Sequence, residues 1–326
     1  MKATALAPAN IAFIKYWGKQ DNELRLPLNS SISMNLSGAY TITTVEFSPK
    51  VTADSVSLLG GEFSQEETAR VIRGLDRIRK HSGRMDRARV VTKNTFPKGA
   101  GSAASASGFA ALTLSGFAAL GTAFTERELT VFARMGSGSA CRSIPDGYVE
   151  WRQGKTSDDS YAVSLYPNTH WDLRDLLVIV DSRMKKISTT EGMETVTTSP
   201  FISARLRAIP SRLDRCKKAL QKKDICALGE VIEEDCLDMH HVMQTQVPPL
   251  TYWNDTTRMI IEATQVWRKM GIPVYFTIDA GPNVHLICEG KNEQLVIEKL
   301  KALSGIERVI QNSPAKGAHL IQEHLF

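Results

Sequence analysis

Long apolar runs are missing from this 326-residue chain, and no segment approaches the roughly 18 residues that a membrane-spanning helix needs. The N-terminal stretch MKATALAPANIAFIKYWGKQ has apolar character, but Pro8 and Asn10 interrupt it and Lys15 follows. That is a poor leader core, so a cytoplasmic protein is expected. Cysteine is sparse. The five (Cys141, Cys216, Cys226, Cys236 and Cys288) form no CxxC pair, and an odd number without metal-ligand spacing fits reduced thiols. Cys226 and Cys236 lie near His240 and His241 but match no usual zinc pattern. Ile225, Leu228, Val231, Ile232 and Leu237 instead give that segment a helical period. Strong charge of one sign is also lacking. Forty Lys and Arg against 35 Asp and Glu leave +5, too little to imply nucleic acid, though a locally cationic cleft would suit a phosphorylated substrate.

What remains is an ordinary globular composition, 42% hydrophobic and 23% charged, long enough for one large domain or two fused ones. Residues 24–58 carry three short Ser/Thr/Val-rich runs, SSISMNL, TITTVEF and SVSLL, which read as several antiparallel strands. ETARVIRGLDRIRK (67–80) places Val71, Ile72, Leu75 and Ile78 on one helical stripe. Its basic residues Arg70, Arg73, Arg77, Arg79 and Lys80 read as a solvated face. A strand over 87–94 follows, then a helix over 109–120 and another over 125–136 with Thr125 as N-cap. Residues 148–154 and 161–167 suggest a hairpin, 175–181 a buried strand and 201–271 a helix-rich stretch. PVYFTIDAGPNVHLICEG (273–290) reads as strand, tight turn, strand. The mixture predicts an α+β class with two packed lobes, residues 1–174 and 175–326.

Four segments carry chemistry. PKGAGSAASASG (97–108) is a small-residue loop opening a helix, an arrangement that grips phosphate through backbone N–H groups and is equally suited to tight helix packing. It is neither a Walker loop nor GxGxxG. GSGSACRS (136–143) sets Ser137 and Ser139 before Arg142, hydroxyls and a guanidinium fork able to hold a carboxylate or phosphate, or a plain turn with an exposed Arg. DAGPN (279–283) places Asp279 at a strand end, where it could orient or deprotonate a hydroxyl or simply start an Asx-turn. KYWGK (15–19) offers Lys15 and Lys19 to an anion or to solvent.

Taken in order, APANIAFIKYWGK, LPLNSSIS, NTFPKGAGSAASASGFAAL, GSGSACRS with GYVEW, and DAGPNVH resemble the diphosphomevalonate decarboxylases of the GHMP kinase superfamily over about residues 5–290. The resemblance implies a GHMP kinase-like fold, with mixed and antiparallel sheets, packed helices and a deep cleft between lobes. It also implies ATP- and Mg2+-dependent phosphorylation of a tertiary 3-hydroxyl, followed by loss of phosphate and CO2, by a homodimer. By motif, Asp279 would position or deprotonate the hydroxyl, Lys15 would manage charge at the reacting centre, and Arg142 would clamp the carboxylate. Tyr16, Lys19, Ser137, Ser139 and Arg73 would hold the distal phosphate. The loop Pro97, Lys98, Gly99, Ala100, Gly101, Ser102, Ala103, Ala104, Ser105 and Ser107 would cradle ATP, with Ser105 on the metal.

Departures from the family pattern set up an alternative. The family loop reads like PTAAGLASSAAG, so Lys98 stands for a Thr, Ser102 for a Leu and Ala104 for a Ser. Pro145-Asp146 replaces an aromatic and Gly, adding a carboxylate that would repel a doubly phosphorylated tail if it faced the cleft. LDMHHVMQTQVPPLTYW is similar to the branch acting on the 5-monophosphate, so a phosphomevalonate decarboxylase is the alternative to the diphosphate enzyme. A 3-kinase that stops before decarboxylation and a non-catalytic binding protein are the other classes. Asp279 and Arg142 argue against the first, and Asp279 and Lys15 against the second. The Ser/Thr-rich segment 185–200 is a candidate to close over the nucleotide.

Overall fold

The computed structural model describes residues 1–96, 103–183 and 187–326. Largely buried strands build a seven-stranded sheet. Its main path runs His319–Ile321, Lys2–Ile14, Ser31–Ser48, Arg87–Asn94, Ser55–Leu59, and the hairpin Tyr148–Trp151/Ala162–Tyr166 joins the early half of Ser31–Ser48. The two runs SSISMNL and TITTVEF, expected as separate strands, are one 18-residue strand. The Ser-Gly between them makes a bulge rather than a turn, because Pro8 pairs with Tyr40 while the next residue, Ala9, pairs with Leu36. The third run, Ser55–Leu59, pairs parallel with Arg87–Asn94, not antiparallel, because the helix Gln65–Ser82 carries the chain back across the sheet.

That helix starts at Ser64 and the helix Glu126–Gly136 starts at Thr125. Both starts are capping boxes in which the Glu three residues on returns a hydrogen bond to the cap. With Ala103–Leu120 they cover one face of the sheet, where Leu75, Ile78, Phe109 and Phe117 pack on Ala5, Ala7, Val45 and Phe47. The helix Ala103–Leu120 begins six residues before the expected 109, drawing Ala104 and Ser105 into its first turn.

A four-stranded antiparallel sheet runs in the order Tyr275–Thr277, Val284–Glu289, Leu173–Ile179, Arg308–Asn312. The division expected between residues 174 and 175 falls inside the strand Leu173–Ile179. One face of this sheet packs on the helices Asp255–Lys269 and Glu293–Lys301. From its other face Leu177, Ile287 and Ile310 share one core with Ile11, Phe13 and Ile14 of the first sheet and with the helices Ile202–Lys222 and Ile225–Thr245. The sheets are therefore clamped about a common apolar centre. Gly38, in the bulge, permits that approach: an added Cβ would lie 2.5 Å from the Gln311 carbonyl, and Gly38 N–H donates to Asn312 Oδ1 at 2.9 Å. Gly38→Ala should cost about 1–3 kcal/mol by overpacking, read as a lower urea midpoint. An unchanged midpoint would show that the contact relaxes freely. Among the described residues no helix is long and apolar enough to cross a membrane.

Candidate active site

A cavity of about 330 Å3 opens between the two sheets, and sequence-distant motifs converge on it. Lys15 follows the first strand, which buries it to 1% exposure. Its main chain is fixed from three sides: N–H donates to Asp235 Oδ2 at 2.7 Å, while the carbonyl accepts from Asn29 Nδ2 at 2.9 Å and Arg205 at 3.5 Å. Its ammonium then lies 2.7 Å from Asp279 Oδ1. Asp279 occupies the turn after Tyr275–Thr277, and Asn283 pins that turn by accepting from the N–H groups of Val180 and Asp181. The DAGPN segment is thus a fixed mount.

Burial pushes the Asp279 carboxyl up, but Lys15, with His285 and Arg142, outweighs it and holds the group below the ordinary carboxylate range. The site offers an ionised carboxylate beside an ammonium. Arg142, 3% exposed, lies in the short 3-10 helix Gly138–Ser143, where its Nε donates to Asn10 Oδ1 at 3.3 Å and NH1 to Ser31 Oγ at 2.7 Å. Burial lowers its pKa, and Cys141 and Asp279 oppose that shift. Asn10 also donates to the Ser139 carbonyl and the Ser143 hydroxyl, so one strand residue aligns the whole GSGSACRS segment.

Tyr16, Lys19, Ser137, Ser139, Ala104 and Ser105 line the same cavity. Tyr16 packs edge-on against Trp151 and directly over Gly138, where a Cβ would come within 2.7 Å of its ring. Burial raises its phenol, which stays a neutral donor. Ser105 Oγ lies 3.1 Å from Ser137 Oγ, linking the helix start to the 137–143 segment. Two expected residues are elsewhere. Ser107 is fully buried and bonds Thr41 Oγ1 at 2.7 Å, so it packs the helix on the sheet; Arg73 is exposed and outside the lining. Its neighbour Arg70, one helical turn earlier, lines the cavity instead. Pro97, Lys98, Gly99, Ala100, Gly101 and Ser102 lie outside the described residues, as does the side chain of Ala103.

Val56, Leu58, Phe63 and Val90 make the far end of the cavity apolar, a surface suited to a flat base. Ser188, Thr189 and Met193, from the segment expected as a closing loop, line the cavity as well; residues 184–186 lie outside the described part. Asp146 is exposed and accepts from Gly317 N–H at 2.7 Å, away from the lining, so it opposes no diphosphate there. His240 is buried behind the site, with Nε2 3.3 Å from both the Ile278 carbonyl and the Trp253 indole nitrogen. Burial pushes it down to about 3, so it stays neutral and cannot serve as an acid near pH 7. Asn10, Asp235 and Arg205 escaped the sequence reading. The one available signal was a polar side chain inside an apolar strand or helix stripe.

Residues 7–162 match the diphosphomevalonate decarboxylase-like N-terminal domain, and residues 176–323 match the mevalonate 5-diphosphate decarboxylase C-terminal domain. The diphosphomevalonate decarboxylase of Candida albicans is 34% identical, with 99% of each chain covered. The chain belongs to the diphosphomevalonate decarboxylase family. Its Saccharomyces cerevisiae member is 36% identical over 93% of this chain and 82% of its own. The mevalonate diphosphate decarboxylase structure from Staphylococcus aureus superimposes with a TM-score of 0.93 at 38% identity, covering 98% of each chain. That from Enterococcus faecalis, described with mevalonate-diphosphate-mediated ATP binding, gives 0.92 at 35% identity and covers 99% of each. A further family structure with a TM-score of 0.92 and 36% identity, again covering 99% of each, is a complex with MVAPP, AMPPCP and magnesium. The GHMP-type, two-sheet architecture expected from the motifs is the one observed.

Proposed function

We infer that the chain catalyses ATP-dependent decarboxylation of 5-diphosphomevalonate to isopentenyl diphosphate, ADP, phosphate and CO2. The observation that carries this reading is the Lys15–Asp279 pair at 2.7 Å, its ammonium buried and its carboxylate partly open to the cavity that Arg142 also lines, in a chain of this family. A tertiary hydroxyl is a poor leaving group until it is phosphorylated. Asp279 orients that hydroxyl and accepts its proton as the oxygen attacks the γ-phosphorus of ATP and ADP departs. Because the carboxyl is held at low pKa, it is a weak base, and its proton uptake accompanies bond formation rather than preceding it. The C3–O bond then breaks and phosphate leaves. The C–C bonding pair of the carboxylate becomes the new double bond and CO2 is released.

Lys15 keeps Asp279 ionised and offsets charge on the transferring phosphoryl group. Arg142, held by Asn10 and Ser31, presents its planar fork to the carboxylate until CO2 departs. Tyr16, Lys19, Ser137 and Ser139 hold the diphosphate tail. Ala104 and Ser105 face the nucleotide phosphates at the start of the helix Ala103–Leu120. Among the described residues no group of three His, Cys, Asp or Glu side chains forms a metal cage. The Ser105 hydroxyl, which lines the cavity, would hold Mg2+, and the ion would supply charge neutralisation for the transferring phosphate. The two lobes divide the work, with the nucleotide on residues 1–174 and the DAGPN mount on 175–326. Cytoplasmic residence is carried by the sequence expectation and a homodimer by the family resemblance, and sedimentation at the mass of one chain would overturn the dimer.

The test is ATP turnover with paired detection of ADP and CO2 from mevalonate, its 5-phosphate and its 5-diphosphate. CO2 from the diphosphate is expected. CO2 from the monophosphate alone, or ADP without CO2, would overturn the assignment.

A further inference from the structure

One group of side chains at the cavity is not used by this mechanism. Arg25 and Arg70 line it, and the charges of Arg73 and Arg77 are felt there through space. Three of these guanidiniums are tied to one feature, the carboxyl end of the helix Glu126–Gly136. Arg25 Nε donates to the Met135 carbonyl at 3.2 Å, Arg77 to the same carbonyl at 3.2 Å, and Arg70 Nε to Gly136 at 3.0 Å. Helix carbonyls supply partial negative charge only. Among the described residues, carboxylate partners go to arginines elsewhere, such as Arg79 with Asp54 and Asp76, and none of these four forms an ion pair. Glu66, Glu67 and Glu23 act on Arg70 and Arg77 only through space.

Burial and then Arg25 push Arg70 down to about 10, and burial, with Arg77 and Arg73, lowers Arg25 against an opposing pull from Tyr16. Clustered, half-buried cations of one sign destabilise a fold unless an anion joins them. In Arg25 and Arg70 the anchored atom is Nε, which leaves the terminal nitrogens of each fork for such an anion. Arg25 is also the charged neighbour acting most strongly on Tyr16, and it acts on Lys19, two of the residues assigned to the diphosphate tail. The backbone is shaped for this position, since Arg25 is one of only two non-glycine residues with positive φ (51°) among the described residues.

We propose that Arg25, supported by Arg70, grips the terminal phosphate of the diphosphate tail and makes this cavity select a diphosphate over a monophosphate. The proposal rests on the function given above for the identity of the substrate, but not for the anion it names.

Arg25→Asn is the direct test, because Asn tolerates the left-handed backbone. Inorganic pyrophosphate and orthophosphate are titrated calorimetrically into enzyme saturated with ADP, and KM is measured for 5-diphosphomevalonate and for ATP. Lys80→Gln, an exposed charge on the same helix as Arg70, is the control for net charge. The expected result is about tenfold weaker pyrophosphate binding and a matching rise in KM for the diphosphate. Orthophosphate binding and KM for ATP should stay within twofold, and Lys80→Gln should change none of them. Equal weakening of both anions, an effect on ATP alone, no effect, or the same effect in Lys80→Gln would each overturn the proposal. If Arg25→Asn lowers the thermal midpoint, Arg70→Gln on its regular helix carries the same test. Pyrophosphate binding that depends on Arg25 in an enzyme releasing no CO2 would keep this inference and reject the proposed reaction.

Discussion

Asp279→Asn is expected to lower kcat by about 1,000-fold while KM for ATP moves less than threefold, the middle of the range for loss of a positioned proton acceptor. Two effects combine. Asn cannot take the hydroxyl proton, and it leaves the Lys15 ammonium, 1% exposed, facing a neutral amide instead of a carboxylate at 2.7 Å. Single-turnover measurement of ADP separates the first chemical step from product release, and a normal burst of ADP in the variant would remove Asp279 from phosphoryl transfer. The pH profile supplies a second check. A carboxyl held at low pKa in the folded chain contributes stability that is fully present above its unfolded pKa and lost as pH falls through the folded one. The acid limb of kcat/KM should therefore lie below the ordinary carboxylate range. A limb near neutrality would point to another group.

Arg142→Lys should cost about 100-fold in kcat/KM even though charge is conserved. The guanidinium already uses Nε on Asn10 and NH1 on Ser31, so its geometry is set before substrate arrives. An ammonium can replace one of those bonds but not both while still meeting a carboxylate. The ratio of CO2 to ADP distinguishes this role from general destabilisation, because poor management of the carboxylate should release ADP in excess of CO2. A ratio of one with unchanged kcat/KM would reject the clamp.

The parts of the fold that could be read from sequence were those governed by local chemistry. The Thr125 cap, the helix after Ser64 and the hairpin at Tyr148–Trp151 follow from residue type and period. The Ser37–Ala39 bulge was not legible, since Ser-Gly signals a turn unless a partner strand, here Lys2–Ile14, keeps pairing past it. The site showed the same division. Lys15, Asp279 and Arg142 sit in motifs recognisable as such, and the structure brings them to one cavity. The choice between Arg70 and Arg73 depended on how the helix Gln65–Ser82 is rotated on the sheet, which a stripe of four apolar residues fixes only to within one turn. Asn10, Asp235 and Arg205 act through contacts up to 220 residues apart in the chain, such as Lys15 N–H to Asp235, and no local pattern reports those.

The strand Lys2–Ile14 pairs on one edge with His319–Ile321, so it waits for a strand made much later before its sheet is finished. Sequence-distant pairing of this kind is slow to form, and until it does Thr4, Ala5 and Leu6 present an open edge to other nascent chains. A chain cut before His319 would thus keep every motif of the cavity while the sheet that mounts Lys15 lacked its closing strand. Such a product would be a candidate for aggregation and proteolysis, which ties the amount of working enzyme to the pairing of this one short strand.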